Sequence, residues 1–206
     1  GLVVRHREMT KQIQKNHRTI IILALMTLVP FSFAWYLTTD PGFNPAATNN
    51  GDLVIPVITT ERSDLQGVDE FSVNNIEQLK GHWVMLNIIP TGLCNKTCVE
   101  AIHATRQVRL MLNKDLTRTR RAVIIMQGKQ ESGFQPWWNE DDRLIKVKPA
   151  PALAMKIRQQ LGGPITEGSL LLMDPLGNIM MQYPAGFDPY AVKGDLKKLL
   201  RISQIG

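Results

Sequence analysis

The pattern of apolar and polar positions divides the chain into one long apolar run and a mixed body of strands and helices. From Thr19 to Thr39 no charged residue occurs, and TIIILALMTLVPFSFAWYL is apolar on every face rather than along one stripe. At ~1.5 Å per residue a helix of that length covers just under the ~30 Å hydrocarbon thickness of a bilayer. Trp35 and Tyr36 stand where interfacial aromatic anchors belong, and Pro30 predicts a kink of the kind membrane helices tolerate.

DPGFNPAATNNGD, from Asp40 to Asp52, is rich in Pro, Gly and Asn and reads as a spacer. LVIPVIT, Leu53 to Thr59, predicts an edge strand interrupted by Pro56. The apolar run Trp83 to Ile89, bounded by Gly81 and Pro90, predicts a buried strand. After it, Cys98, Ala101, Ala104, Val108 and Met111 recur at intervals of three and four, the apolar face of a helix reaching about Lys114. Ala122 to Met126 predicts a second strand, parallel to the first through a right-handed crossover. Residues 127–150 read as irregular, with Trp137-Trp138 as a hydrophobic plug or a docking patch. Pro151 to Leu161 predicts a helix closed by Gly162-Gly163. Leu170 to Met173, the turn Asp174 to Asn178, and Ile179 to Tyr183 predict a hairpin. Asp188 is the N-cap of a last helix, with Pro189 at its first position and Leu196, Leu199 and Leu200 on its buried face.

Charge changes this picture chiefly at the N-terminus. The net charge of +6 is concentrated in residues 1–18, where Arg5, Arg7, Lys11, Lys15 and Arg18 face only Glu8. The rest of the chain is close to neutral, and Arg118, Arg120 and Arg121 read as a solvated entry to a strand. No clustered basic face for nucleic acid is expected. A basic arm before an apolar span places the N-terminus in the cytoplasm and the remainder outside. The organisation expected is a basic cytoplasmic arm at 1–18, a transmembrane helix at 19–38, a linker at 39–52 and an outer domain at 53–206. A cleaved signal peptide is the competing reading, since Ser32-Phe33-Ala34 offers a small-x-small site. Both readings put the domain in a periplasm or a mitochondrial intermembrane space. Gly1 is not an initiator residue, so a processed or truncated start is expected. With 44% apolar and 20% charged residues the body folds around a core, and two cysteines exclude a disulfide-rich scaffold.

The cysteines carry the candidate chemistry. Cys94 and Cys98, four apart, stand one helical turn from each other, within reach of a disulfide. Cys94, nearer the helix N-terminus, meets the positive end of the dipole and is the better nucleophile; Cys98, on the apolar face, is the resolving partner. An inert staple is the plain alternative, although so short a loop gains little from closure. Two thiolates also suit Cu(I), with His82, His103, Met155 and Met173 as candidate third ligands. No zinc, phosphate-cradle, Ser/His/Asp or paired-carboxylate pattern stands out.

The order of strand, loop with two close cysteines, helix, strand, helix, antiparallel hairpin with a D-x-x-G turn and terminal helix resembles the thioredoxin superfamily over about residues 53–203. An anchored outer domain with C-x3-C, Cys94-Asn95-Lys96-Thr97-Cys98, together with LLLMDPLG at Leu170 to Gly177, resembles the Sco/SenC family of cytochrome c oxidase assembly proteins. The copper-ligand histidine of that family is replaced here by Thr166 or Glu167, Val99 follows the second cysteine in place of proline, and Gly168-Ser169 stands where thioredoxins carry a cis-proline. The resemblance implies an α/β, thioredoxin-like fold preceded by one transmembrane helix. It implies a role in oxidase biogenesis by thiol–disulfide exchange through Cys94 and Cys98, with a copper-site subunit or copper chaperone as partner. A Cu(I) carrier without enzymatic activity and a redox-inactive scaffold are the alternatives.

Overall fold

The computed structural model describes residues 2–39, 49–127 and 140–203, with side chains described at 17–36, 49–127 and 140–203. The chain divides into two compact units, 1–48 and 49–206. The first contains helix α1, Leu2–Thr39, which continues through Pro30. Its segment His17–Tyr36 has a mean hydropathy of 1.9, is unburied by protein, and is long and apolar enough to cross a membrane. Thr27 Oγ1 lies 3.0 Å from Ala24 O and 3.2 Å from Leu23 O, so its hydroxyl is satisfied by the helix's own backbone, as hydrocarbon requires. Residues 40–48, most of the expected linker, and Trp137-Trp138 lie outside the described residues.

The second unit is a seven-stranded sheet covered on both faces. Its strands are β1 (Asp52–Thr59), β2 (Leu65–Gly67), β3 (Trp83–Ile89), β4 (Thr119–Ile125), β5 (Ile145–Pro149), β6 (Leu170–Met173) and β7 (Asn178–Tyr183). They lie in the order β1-β7-β6-β3-β4-β5-β2. β3, β4 and β5 are parallel, and the other neighbours pair antiparallel. The helices are α2 (Glu70–Asn75), α3 (Lys96–Met111), α4 (Pro151–Gln160) and α5 (Pro189–Ile202). Alternation along β3 explains the two layers. Val84, Leu86 and Ile88 enter a core with Leu153 and Ile157 of α4, while Trp83 and Met85 pack with Val108 of α3 and Leu196 and Leu200 of α5.

The parallel crossover, the hairpin, the edge strand at Pro56 and the capped last helix agree with the sequence reading. Asp188 accepts a hydrogen bond from Tyr190 N at 2.9 Å, and β1 runs through a cis Ile55–Pro56 bond with its register shifted between Leu53 and Ile58. Three expectations need correction. Residues 127–150 are not wholly irregular, because β5 pairs in parallel with β4. Its Lys146 is buried and reaches Asp69 Oδ2 at 3.0 Å, while its N–H donates to Ser72 Oγ at 2.8 Å. The buried face of α3 is Cys98, Ala101, Ile102, Thr105 and Val108, with Ala104 and Met111 only half-buried. Arg121 is not solvated: it is 7% exposed and ion-paired with Asp141.

Asp195 of α5 closes the start of the unit. Its buried carboxylate accepts hydrogen bonds from Asn50 N (2.8 Å), Gly51 N (3.0 Å), Asn50 Nδ2 (3.0 Å) and the Tyr183 hydroxyl (3.0 Å). Burial, with Asp195 beside it, pushes the Tyr183 phenol well above its ordinary value. A Cβ on Gly51 would fall 2.6 Å from the Tyr183 ring, so this close approach requires glycine.

Candidate functional site

β3 ends at Ile89 and the chain turns through Pro90 to Leu93 into the cysteine loop. Asn95, and not Cys94, caps the following helix: its Oδ1 accepts from Cys98 N at 3.0 Å, and its carbonyl accepts from Val99 N at 3.0 Å. Cys94 therefore stands just outside α3 and Cys98 within its first turn. The two are joined in a disulfide with Cα atoms 5.3 Å apart. Outside the helix the Cys94 side chain is only partly buried, whereas Cys98 is 1% exposed among Ile89, Ile102, Val123, Ile125 and Leu144. Cys94 packs at the edge of the cluster that encloses Cys98. Beside Cys94, Leu93 is 72% exposed, an apolar side chain at the mouth of the disulfide.

The loop before β6 closes the other side. Ile88 N donates to Ser169 O at 3.1 Å, which ties this loop to β3. Gly168 has φ +87°, and a Cβ there would meet Thr97 Cγ2 at 2.9 Å and Thr97 O at 3.0 Å, so the loop lies directly on the first turn of α3. Glu167 spans the contact: its carboxylate accepts from Thr91 Oγ1 at 3.1 Å and from Asn95 N at 3.2 Å. An anion thus sits on one of the free N–H groups of a helix N-terminus, where the dipole favours it. Sequence reasoning located Glu167 only as a substitute for a missing ligand. Its 72-residue separation from Asn95 left no local signal for the contact.

Beneath α3 runs a buried polar chain that the sequence did not announce. Thr105 Oγ1 lies 2.8 Å from Asn87 Oδ1 and 2.9 Å from Ile102 O, and accepts from Arg121 Nε at 3.3 Å. Arg121 also donates to Ile102 O at 2.7 Å and pairs with Asp141. This chain fixes the strand that delivers the cysteines to the helix that carries them.

The other candidate ligands are not gathered at the sulfurs. His82 is half-buried with Nδ1 3.1 Å from Lys80 O, and His103 Nε2 lies 3.9 Å from Glu140 Oε2. Met155 is exposed, and Met173 Sδ lies 3.7 Å from the Thr60 hydroxyl in the core. Among the described residues no group of three or more His, Cys, Asp or Glu side chains is placed to hold a metal. The donor set does not fit a copper site that needs a third protein ligand.

The model of the transmembrane-like, thioredoxin-like, C-terminal domain matches residues 83–203, from the first residue of β3 through α5. The chain belongs to this family. Within the matched residues, Cys94 lies in the loop after the first strand and Cys98 in the first turn of the helix that follows. Among solved structures, the chain is similar to apo Sco1 from Thermus thermophilus, at 13% identity over 76% of this chain and 99% of that one, TM-score 0.50. It is also similar to yeast Sco1 with copper bound, at 10% identity over 62% and 80%, TM-score 0.47. A third is the thioredoxin domain of a thiol-disulfide oxidoreductase from Bacteroides vulgatus, at 13% over 60% and 83%, TM-score 0.44. At such identities the likeness is one of fold. No curated protein matches. In this chain an apolar N-terminal helix precedes the matched domain, and that domain carries two cysteines at a helix N-terminus.

Proposed function

We propose that this chain is a membrane-anchored thiol–disulfide exchange protein serving cytochrome c oxidase biogenesis, with its thioredoxin-like domain in the periplasm or the mitochondrial intermembrane space. The observation that carries the proposal is the unequal exposure of the two joined cysteines: Cys94 partly open outside the helix, Cys98 at 1%. A partly exposed cysteine that a partner approaches and a buried one that only its neighbour reaches is the arrangement two-step exchange needs.

In the reduced protein the Cys94 thiolate attacks a partner disulfide, forming a mixed disulfide and releasing one partner thiolate. Cys98, deprotonated, then attacks the Cys94 sulfur, releasing the second partner thiolate and closing the Cys94–Cys98 bond. The partner gains two electrons and its thiolates take up protons. A dithiol donor in the same compartment returns the pair to the reduced state. The partner favoured by the likeness in fold to Sco1 is a copper-site subunit of the oxidase, or the chaperone that loads it, whose metal-binding cysteines must be reduced before copper enters. Leu93 supplies an apolar contact beside the attacking sulfur.

Carriage of Cu(I) without catalysis rests on the two sulfurs alone, and a redox-inactive scaffold requires neither. In membranes carrying the full chain, Cys98→Ser traps a mixed disulfide through Cys94, and Cys94→Ser traps none. Undiminished oxidase maturation in the double serine variant would reject exchange in favour of the scaffold. Stoichiometric retention of Cu(I) by the reduced protein would favour the carrier. Alkaline phosphatase fused after Gly206 is active if the domain lies outside, and silent if the orientation is reversed.

A further inference from the structure

At the end of the sheet opposite the cysteines, a cleft of about 580 Å³ opens where β4 outruns its neighbour. β5 begins at Ile145 opposite Ala122, so the first three residues of β4, Thr119 to Arg121, extend past it. Into this notch come five arginines from different elements: Arg106 and Arg109 from α3, Arg120 and Arg121 from β4, and Arg143 from the turn before β5. The only described carboxylates lining it are Asp141 and Asp142, and Asp141 is already committed to Arg121.

Two of the five guanidiniums are held by neutral partners. Arg109 donates to Thr119 O at 3.3 Å and Leu116 O at 3.4 Å. Arg120 donates to Gln78 Oε1 at 2.9 Å and to Thr117 O and Thr119 O at 2.7 and 2.9 Å. Those bonds orient the forks without neutralising them. Neither Arg106 nor Arg143 forms an ion pair with a described residue. For Arg109, burial and then the nearby Arg120, Arg121 and Arg143 disfavour the charged form, and together they outweigh Asp141, which favours it. Gathering like charges in a concave, partly desolvated place is unfavourable unless an anion shares it.

We infer that this arginine cleft binds a phosphate-bearing ligand of two to three negative charges, at a site separate from the cysteine pair. Guanidinium forks match phosphate oxygens two at a time, which ammonium groups do not. The volume lies within the ~300–1,000 Å³ of ordinary small-ligand sites. The phosphate belongs either to a soluble compound or to a phospholipid headgroup, and the two sources share this recognition chemistry.

The test is calorimetric titration of inorganic pyrophosphate into the full chain in phosphatidylcholine nanodiscs, with Arg106→Gln/Arg143→Gln as the variant. Both side chains are exposed and outside the buried ion pair, so the fold is retained and a melting curve verifies it. Saturable binding by the native chain that is at least about tenfold weaker in the variant supports the site. The control Lys156→Gln/Lys197→Gln, which removes the same charge elsewhere, binds as the native chain does. No saturable heat, equal loss in variant and control, or unchanged affinity in the variant overturns the proposal, and binding through the basic arm at residues 1–18 would give the last of these. Repeating the titration with phosphatidylglycerol in the discs identifies the source. Loss of pyrophosphate affinity there, in the native chain alone, assigns the site to a headgroup, and unchanged affinity assigns it to a soluble phosphate.

Discussion

Glu167 bonds to the backbone N–H of Asn95, the residue between Cys94 and its helix, at 3.2 Å. A carboxylate there competes with the Cys94 thiolate for the same positive helix end. Glu167→Gln keeps an acceptor for the N–H and removes the charge, so it stabilises the thiolate. The reduced variant is expected to alkylate with iodoacetamide roughly threefold faster at neutral pH, from an electrostatic change of about 0.5–1 kcal/mol, and to have a more oxidising potential. An unchanged rate and potential would reduce Glu167 to a structural tie.

Gly168 is where the second loop touches the cysteine helix. Alanine there carries both the cost of φ +87° and a contact of 3.0 Å with the Thr97 carbonyl. Gly168→Ala should lower stability by about 1–3 kcal/mol in urea titrations. Adding Thr97→Ser relieves the methyl contact but neither the carbonyl contact nor the dihedral, so most of the loss remains. Full recovery in the double variant would show that crowding against the methyl was the whole effect.

Arg121 and Asp141 form an ion pair nearly removed from water, with side chains 6% and 13% exposed. Asp141→Ala leaves the guanidinium buried with only Thr105 and the Ile102 carbonyl as partners, a loss of about 3–5 kcal/mol. Replacing both, as Arg121→Met/Asp141→Leu, should restore most of that stability. Equal destabilisation in the single and double variants would show that shape, and not charge, holds this region.

Asp69 gives the acid limb of stability. Burial alone would raise its carboxyl, but the Ser72 hydroxyl and N–H and the Lys146 ammonium outweigh it and hold the group below the ordinary carboxylate range. The folded form therefore binds its proton less readily than the unfolded chain. The contribution is full above the unfolded value near pH ~4 and is lost as the pH falls through the lower folded value. Asp69→Asn should flatten stability against pH below about 4 relative to the native chain. An identical slope in both would place the acid sensitivity elsewhere.

The legible parts of the sequence were those whose physics is local. The apolar runs of β3, β4 and β6, the Asp188-Pro189 cap and the D-x-x-G turn are each determined by neighbours along the chain. β5 was missed because IKVKP places a lysine inward, and that lysine is tolerated only because Asp69 and Ser72, more than seventy residues earlier, meet it. Arg121 was misread for the same reason, since its carboxylate comes from beyond the next segment. In the site, C-x3-C was visible at once, as was its place at the start of a helix. What the sequence concealed was that Asn95 takes the cap and leaves Cys94 outside, and that Glu167 folds back onto it.

The clamp made by Asp195 has a mechanical consequence. In the anchored protein we propose, the domain is pulled where the chain enters it at residue 49, and that place borders an edge strand, the element easiest to peel from a sheet. Tension arriving at residue 49 first loads the three hydrogen bonds from Asn50 and Gly51 to one carboxylate of the last helix. The pull therefore enters through α5 and its packed leucines, and the ladder between β1 and β7 is spared from opening one rung at a time.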